Sequence, residues 1–284
     1  MDESKILIIG ANGQLGKALR TQYPTAQAAD ISELNIINPQ SVNGYDWSNI
    51  ETILNTAAYT NVDGAETSEG RAPSWQVNAQ AVANLTQAAI DKKLLLVHIS
   101  TDYVFDGSKT PHTEAEPFSP LSAYGASKAA GDIAAGMVPR HYILRTSWLI
   151  GEGKNFVRTM LELGKKGVTP KVVADQFGRP TFTTELARCI DHFLKNQPAF
   201  GTYNVTNSGD VVSWADLTRE IFRQAGYNLQ VTDTTTGEYF AGKENIAPRP
   251  AHSEFDLSKL QSTGFTPRDW RDDLGDYIKK EMPA

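Results

Sequence analysis

The stretch KILIIGANGQLGKALRTQY, residues 5–23, decides the fold of this chain. The apolar run 5–10 predicts a buried strand, QLGKALRTQY predicts a helix, and the glycines between them recur at every third position: Gly10, Gly13 and Gly16. Glycine lets the backbone turn tightly and approach a pyrophosphate, while the helix N-terminus offers free N–H groups and a partial positive charge to that anion. The combination of strand, loop and helix predicts a dinucleotide-binding site.

An acidic residue at the end of the second predicted strand supports this interpretation. Asp30 closes the segment TAQAAD, twenty residues after Gly10, where a carboxylate can bond the ribose hydroxyls of an adenosine. The glycine spacing departs from G-x-G-x-x-G. A P-loop is excluded because Gly16 and Lys17 are followed by Ala18 instead of Ser or Thr. The alternative is a glycine-rich turn that binds no ligand.

Further apolar runs alternate with helical patterns along the first half of the chain. Strands that are apolar throughout and separated by helices indicate a parallel sheet covered on both faces. We therefore predict an α/β protein with a Rossmann-type doubly wound sheet. Residues 1–150 would form an NAD(P)-binding domain, and 151–284 mainly a smaller substrate-binding lobe with some segments returning to the Rossmann sheet. The runs are ETILNTAA (51–58), KLLLVHIS (93–100) and HYILRTSWLIG (141–151).

Composition and charge exclude several other classes of protein. The 284 residues carry a formal net charge of −6 and no block of like charges, which disfavours nucleic-acid binding. No signal segment and no apolar run approaching about 18 residues are visible, so we expect a cytoplasmic protein without membrane spans. The histidines are scattered, so no zinc site is expected. Cys189 lies in the predicted helix ELARCIDHFL and is expected to be buried.

A tyrosine and a lysine lie four residues apart in AYGASKAAGD, residues 123–132. On a helix, Tyr124 and Lys128 would share one face. A lysine held beside a phenol favours the phenolate, so the pair is expected to lower the tyrosine pKa and to act in proton transfer. The alternative is an exposed pair on an ordinary amphipathic helix.

The order of these segments resembles the extended short-chain dehydrogenase/reductase family through nearly the whole chain. Within that family, the resemblance is to members that reduce dTDP-linked 4-keto sugars. The segments that carry it are GANGQLG, NTAAYTNVD, STDYVFDG, SAYGASKAAGD, RTSWLIGEGKNF, ADQFGRPT and RPAHSEFD.

The resemblance implies a role for each matching residue. Tyr124 would be the catalytic acid, Lys128 its partner and a ligand of the nicotinamide ribose, and Thr101 a donor to the substrate carbonyl. The cofactor would be NADPH or NADH, contacted by Gly10, Asn12, Gly13, Gln14, Leu15, Gly16, Asp30, Asn35, Ile36, Ala58, Tyr59, Thr60, Tyr124 and Lys128. The substrate would contact Thr101, Asp102, Trp148, Asn155, Arg179 and Arg249.

Four of these residues also have simpler interpretations from sequence. Trp148 could be a core aromatic and Thr101 a cap at a strand end. Asp102 could bond local backbone in a turn. Arg249, before Pro250, could be an exposed loop charge.

The resemblance implies reduction of the C4 ketone of dTDP-4-dehydro-L-rhamnose to dTDP-L-rhamnose. Two alternatives remain: another nucleotide-sugar epimerase or reductase, and a non-catalytic regulatory subunit. A dehydratase is disfavoured because Asp102 and Tyr103 follow Thr101, where dehydratases typically carry Asp-Glu. A regulatory subunit would not need Tyr124 and Lys128, so an enzyme is favoured.

Two expectations concern assembly. Some family members dimerise through a metal held by acidic residues, one of them on the first helix. That helix has no Asp or Glu here, so we expect no metal there and a monomer. The resemblance also suggests association or fusion with the 3,5-epimerase that acts before such reductases.

Overall fold

The apolar runs of the sequence form a six-stranded sheet in which every strand pair is parallel, as predicted. The structure, a computed structural model, describes residues 2–282. Its strands are β1 (Ile6–Ile9), β2 (Gln27–Ala29), β3 (Thr52–Asn55), β4 (Leu95–Thr101), β5 (His141–Thr146), β6 (Leu149–Ile150), β7 (Lys171–Val173), β8 (Phe177–Gly178), β9 (Thr181–Phe182), β10 (Gly201–Asn204), β11 (Val212–Ser213), β12 (Thr232–Thr234) and β13 (His252–Ser253).

Helices cover both faces of this sheet and build the second half of the chain. They are α1 (Gln14–Gln22), α2 (Pro39–Gly44), α3 (Ser68–Trp75), α4 (Ala81–Lys92), α5 (Ala123–Ala135), α6 (Phe156–Lys165), α7 (Thr183–Asn196), α8 (Trp214–Gln224), α9 (Thr236–Phe240), α10 (Ser258–Gln261) and α11 (Trp270–Glu281). No helix among residues 2–282 is long and apolar enough to cross a membrane.

The strand order of the large sheet is β10-β5-β4-β3-β1-β2. The order reverses at β1, which pairs with both β2 and β3. In open parallel sheets, ligands bind outside the carboxyl ends of the strands at such a reversal. The topology therefore puts the glycine loop, which follows β1, in the expected binding crevice.

Two apolar cores lie on opposite faces of the sheet. On one face, α1 and α7 pack through side chains such as Leu19 and Ile190. On the other, α4 packs through Val82 and Leu85. Cys189 is buried on α7 in the first core, as its sequence context indicated, and burial raises the pKa of its thiol well above the usual value. A thiol in that state is a packing group.

The second half of the chain contributes to both the sheet and a separate core. Strand β10, which lies beyond residue 151, forms the edge of the large sheet against β5. A third core is built from α6, α8 and α11 around Phe222 and Trp270. Helix α8 starts with a reciprocal capping box between Ser213 and Asp216. The proposed division at residue 150 stays a prediction.

The helical pattern between β3 and β4 is interrupted, which the sequence did not predict. A π-helical turn, Gln76–Gln80, separates α3 from α4. The extra residue of a π turn rotates the following helix relative to the preceding one. Trp75, just before the turn, is 43% exposed, whereas Val82 and Leu85 after it are buried.

Candidate active site

The glycine loop after β1 forms a backbone cradle that only glycine can build. Gly10 has a left-handed φ of +78°, and a Cβ there would lie 2.7 Å from the backbone nitrogen of Ala57. A Cβ on Gly16 would lie 2.2 Å from the carbonyl oxygen of Gly10, so α1 packs directly on the loop. The loop is therefore shaped to let an anion approach its backbone N–H groups closely.

A groove of about 320 Å³ opens beside this loop. Asp30 lines it from the end of β2, and its carboxylate accepts hydrogen bonds from the backbone N–H groups of Asn12 (3.2 Å) and Ile31 (2.9 Å). Most of the remaining lining is apolar. The predicted cofactor residues that line the groove are Gly10, Gly13, Asp30, Asn35, Ile36 and Ala58.

Other predicted cofactor residues lie near the groove without lining it. Leu15 is buried in the core on the α7 side of the sheet, and Gln14 donates from Nε2 to the carbonyl of Lys154 at 3.3 Å. Their side chains therefore point elsewhere, and only their backbone at the start of α1 is available to a cofactor. Tyr59 and Thr60 follow β3, where Tyr59 is held through its backbone.

The residue that holds Tyr59 is Asn78, which sequence reasoning missed. Asn78 Oδ1 accepts from the Tyr59 N–H at 2.9 Å, and its Nδ2 donates to the Tyr59 carbonyl at 3.1 Å. The same Nδ2 donates to Ser127 Oγ at 3.0 Å. Asn78 thus joins the loop after β3 to α5. Its position depends on the π-helical turn, for which no signal was recognised in the sequence.

The predicted Tyr124–Lys128 helix is α5, and three neighbours fix its start. Ser122 is its N-cap and accepts from the N–H of Gly125 at 3.0 Å. Glu66 Oε1 accepts from the N–H of Ala123 at 2.7 Å. A Cβ on Gly125 would lie 2.2 Å from the carbonyl oxygen of Tyr103, so α5 contacts the loop after β4. This contact brings Tyr124 to the end of β4.

Lys128 is buried against β4. Its Nζ donates to the carbonyl oxygen of Ile99 at 2.6 Å, and the side chain is 2% exposed. Burial lowers the pKa of Lys128 to about 8, and the charge of Asp132 acts in the opposite direction. The lysine is therefore a buried cation whose charge depends on its neighbours.

The sequence predicted a lowered pKa for Tyr124, and that prediction is wrong, because the pKa is raised in this structure. Burial raises the pKa of Tyr124 well above its usual value, and the charge of Asp102 raises it further, while the neighbouring hydroxyl of Thr101 acts against both. The physical reason is that the phenol is only 8% exposed, whereas Lys128 donates to the Ile99 carbonyl. Tyr124 is consequently a neutral phenol, which is the form that can donate a proton.

Asp102 is a buried carboxylate that organises the end of β4. Its Oδ1 accepts from Thr101 Oγ1 at 2.9 Å, and its Oδ2 accepts from Ser253 Oγ. Burial raises the pKa of Asp102, and the hydrogen bond from Ser253 opposes that rise. Since Ser253 lies in RPAHSEFD, the far end of the chain contributes directly to the surroundings of Thr101.

A second pocket, of about 360 Å³, lies next to this point and is lined by Tyr103, Ser253, Trp148 and Arg249. Trp148 has a left-handed φ of +47°, and its ring stacks on Trp214 with centroids 3.6 Å apart. Bulky residues rarely adopt this backbone conformation, which is concentrated at functional sites. The stacked tryptophans give the pocket a flat apolar wall, and Arg249 adds a positive charge to its lining.

That cation, Arg249, is braced by the first half of the chain. Its Nη2 donates to both carboxylate oxygens of Asp63, at 2.8 and 2.9 Å, and its guanidinium lies 4.6 Å from the ring centroid of Phe240. Asp63 follows β3, so this pair joins the loop after β3 to the second half of the chain.

Four predicted substrate residues line neither pocket: Thr101 and Asp102 at the end of β4, and Asn155 and Arg179. Asn155 is the N-cap of α6, and its Nδ2 donates to Gly151, Gly153 and Tyr277. Arg179 donates to the Gly209 and Phe255 carbonyls and to Glu254. The donors of Asn155 and Arg179 are engaged in bracing loops, so we leave these two out of the proposed site. Across residues 2–282, no group of three or more His, Cys, Asp or Glu side chains could hold a metal ion.

Comparison with known proteins places this geometry in a family. The RmlD substrate binding domain family matches residues 4–282. A dTDP-4-dehydrorhamnose reductase of Aggregatibacter actinomycetemcomitans is 38% identical, covering 94% of this chain and 96% of its own. A probable dTDP-4,6-dihydroxy-2-methyloxan-3-one 4-ketoreductase of Streptomyces antibioticus is also 38% identical, covering 98% and 96%.

Solved structures agree with these matches. The dTDP-4-dehydrorhamnose reductase of Bacillus anthracis, determined in complex with NADP, superposes with a TM-score of 0.90 at 34% identity. The match covers 99% of this chain and all (100%) of that one.

Proposed function

This chain belongs to the RmlD substrate binding domain family, and on that premise we propose that it reduces the C4 ketone of dTDP-4-dehydro-L-rhamnose to dTDP-L-rhamnose with NADPH or NADH. The observation that carries the proposal is the neutral phenol of Tyr124 beside Thr101. This pair lies at the carboxyl edge of the parallel sheet, where the glycine loop after β1 also lies. Lys128 is buried behind it on the carbonyl of Ile99.

The glycine loop and its groove fit a nicotinamide dinucleotide. The backbone cradle of Gly10 and Gly16 would receive the pyrophosphate at the start of α1, and Asp30 would contact the adenosine ribose. When bound, the cofactor supplies the hydride that reduces the ketone. The relative from Bacillus anthracis was solved with NADP, so both cofactors are included in the proposal.

The protein's own residues supply the proton and the electrostatics. Negative charge develops on the carbonyl oxygen during reduction, and a hydrogen bond from Tyr124 stabilises it. Thr101 donates its hydroxyl proton to Asp102 Oδ1 in this structure, and it would add a second hydrogen bond to the carbonyl oxygen by turning that hydroxyl towards the substrate. Tyr124 then donates its phenolic proton as the general acid. Because burial disfavours the phenolate left behind, the positive charge of Lys128 is needed to stabilise it. The higher the pKa of Tyr124, the more the phenolate depends on the charge of Lys128 for stabilisation.

The second pocket would hold the nucleotide sugar. Trp148 offers an apolar face to the sugar ring, and the guanidinium of Arg249 offers donors to a diphosphate. Since Asp63 already binds that guanidinium through two oxygens, Arg249 would be held at a fixed angle towards the pocket. Asp102 would act on the substrate through Thr101.

Turnover assays test the proposal directly. The 4-keto sugar would be made by coupled upstream enzymes on dTDP and, separately, on UDP, and cofactor oxidation would be followed with NADPH and with NADH. We expect oxidation with the dTDP sugar. Turnover of another ketone without turnover of this sugar would contradict the substrate and retain the reductase class. Absence of any reductase activity would favour a regulatory subunit.

A second candidate is a 4-ketoreductase of another dTDP-linked deoxysugar. The relative from Streptomyces antibioticus, equally similar in identity, favours it. Comparing kcat/KM for the C4 ketone before and after 3,5-epimerisation discriminates the two functions. Association with the 3,5-epimerase stays a prediction, which co-purification of the two proteins would test.

A further inference from the structure

Three charged side chains, Lys128, Asp132 and Arg145, are buried next to Tyr124. Of these three, the proposed mechanism uses only Lys128. Asp132 lies on α5 and is 2% exposed. Its Oδ2 accepts from Arg145 Nε on β5 at 3.1 Å, and its Oδ1 lies 3.9 Å from His98 Nε2 on β4. Buried charges are costly unless they are paired, so this cluster needs a physical reason.

The geometry of α5 directs Asp132 and Lys128 to the same place. The two residues are four apart on one helix and therefore share a face. Lys128 Nζ contacts the carbonyl of Ile99, and Asp132 faces His98, the preceding residue of the same strand. Both side chains thus point at β4, in an interior where opposite charges interact more strongly than in water.

We propose that Asp132 is a positioning residue that keeps Lys128 protonated and held on the Ile99 carbonyl, and so keeps its charge available to the phenolate of Tyr124. The consequence for turnover rests on the proposed function. The effect on Lys128 itself does not, because it depends only on the buried cluster.

Each charged or titratable group around Asp132 has a defined influence. Burial raises the pKa of Asp132, and the charge of Arg145 opposes that rise. Burial, followed by the charge of Lys128, lowers the pKa of His98 well below its usual value, so His98 is neutral. Burial lowers the pKa of Lys128 to about 8, and Asp132 is the group that raises it. The charge of Asp132 also raises the pKa of Tyr124. Removing that charge should therefore let Lys128 lose its proton at a lower pH.

The test is an NMR titration of Lys128 in the full-length chain labelled with carbon-13 at lysine Cε, with the signal assigned through Lys128→Arg. We expect Asp132→Asn to lower the Lys128 midpoint by about 1 pH unit, the low end of the range for loss of a nearby opposite charge, because Arg145 pairs with the same carboxylate. Asp132→Glu, which keeps the charge, should return the midpoint towards the parent value.

The matched control is Asp273→Asn. Asp273 is also a buried carboxylate, 4% exposed and paired with Arg268 at 2.6 Å, but it lies in the core of α8 and α11. Its loss should reduce stability and leave the Lys128 midpoint unchanged. If Asp132→Asn does not fold because Arg145 is left unpaired, the double variant Asp132→Asn/Arg145→Gln removes both charges. Its midpoint should fall in the same direction by a smaller amount, because loss of the Arg145 charge favours protonated Lys128.

A second readout links the cluster to turnover. The alkaline limb of kcat against pH for reduction of the dTDP-linked 4-keto sugar should move down in Asp132→Asn by the same amount as the NMR midpoint. A Lys128 midpoint that does not move in Asp132→Asn or in the double variant overturns the proposal. Absence of turnover in the parent would contradict the proposed function, and the NMR titration would still decide the role of Asp132.

Discussion

At the scale of single residues, the site depends on how each polar side chain is buried. Tyr124 and Lys128 are both almost inaccessible to solvent, and burial moves their pKa values in opposite directions, raising the phenol and lowering the ammonium. Burial always disfavours the charged form of a group. The resting pair is therefore a phenol that keeps its proton and a lysine whose pKa of about 8 leaves it charged near pH 7.

We predict that Tyr124→Phe lowers kcat for reduction by roughly 10²–10⁴-fold, the usual contribution of a general acid. Phenylalanine keeps the edge-to-face contact with Tyr103, at 5.5 Å between ring centroids, so cofactor affinity should be preserved. Turnover and NADPH binding by fluorescence are the measurements. Tyr142→Phe, whose hydroxyl donates to the Pro198 carbonyl, is the matched loss of a buried hydroxyl and should keep turnover. Activity within a few-fold of the parent would remove Tyr124 from the acid role.

We predict that Asp30→Ala shifts cofactor preference towards NADPH. The carboxylate lines the adenosine groove, so it would repel a 2′-phosphate and accept hydrogen bonds from a ribose. The measurement is the ratio of kcat/KM for NADPH to that for NADH. Asp46→Ala, which removes an exposed carboxylate away from the groove, should leave the ratio as in the parent. An equal ratio in Asp30→Ala and the parent would mean that Asp30 does not contact the ribose.

At the scale of elements, helix starts are fixed by side chains that neighbouring segments or the helix itself provide. Helix α5 is capped by its own Ser122 and by Glu66 from the segment after β3. Helix α8 relies on the reciprocal bonds between Ser213 and Asp216. Four N–H groups at a helix start have no partner within the helix, so such caps contribute directly to stability.

We predict that Ser213→Ala lowers the free energy of unfolding by about 1 kcal/mol, because the first turn of α8 loses its side-chain acceptor. Helix α8 packs through Leu217 and Ile221 into the third core, so fraying should be transmitted to it. Urea unfolding followed by circular dichroism measures the change. Ser262→Ala, at an exposed position after α10, is the control and should change stability much less. Equal effects of the two substitutions would contradict a capping contribution.

At the scale of the whole molecule, the site is assembled by contacts between distant parts of the chain. Ser253 reaches Asp102, and Arg249 reaches Asp63, across more than half of the sequence. Trp148 and Trp214 both line the second pocket and stack as its apolar wall. The substrate pocket is therefore a property of the folded chain as a unit, and cofactor and substrate residues share supporting loops.

We predict that Arg249→Met raises KM for the dTDP-linked sugar by roughly ten- to a hundredfold, as expected for the loss of hydrogen bonds to a charged group. Methionine keeps some apolar contact with Phe240, so kcat should fall less than kcat/KM. Steady-state kinetics at saturating cofactor measure both. Arg223→Met, an exposed arginine on α8, controls for loss of surface charge. An unchanged KM together with reduced stability would mean that Arg249 stabilises the fold through Asp63 and does not bind the substrate.

The sequence by itself determined the parallel sheet, the glycine loop and the helix that carries Tyr124 and Lys128. These features follow from local patterns, because apolar runs, glycine spacing and the i, i+4 relation act over a few neighbouring residues. The burial of Cys189 was visible for the same reason.

Only the tertiary structure decided the electrostatics and the membership of the site. The raised pKa of Tyr124 depends on burial and on Asp102, and the buried cluster of Asp132 depends on strands β4 and β5. Asn155 and Arg179 match the family pattern, but their N–H groups donate to backbone carbonyls of nearby loops. Asn78 lies in a π-helical turn, which gives it its position. Desolvation and Coulomb interactions depend on which distant groups come together in space, so local sequence patterns do not determine them.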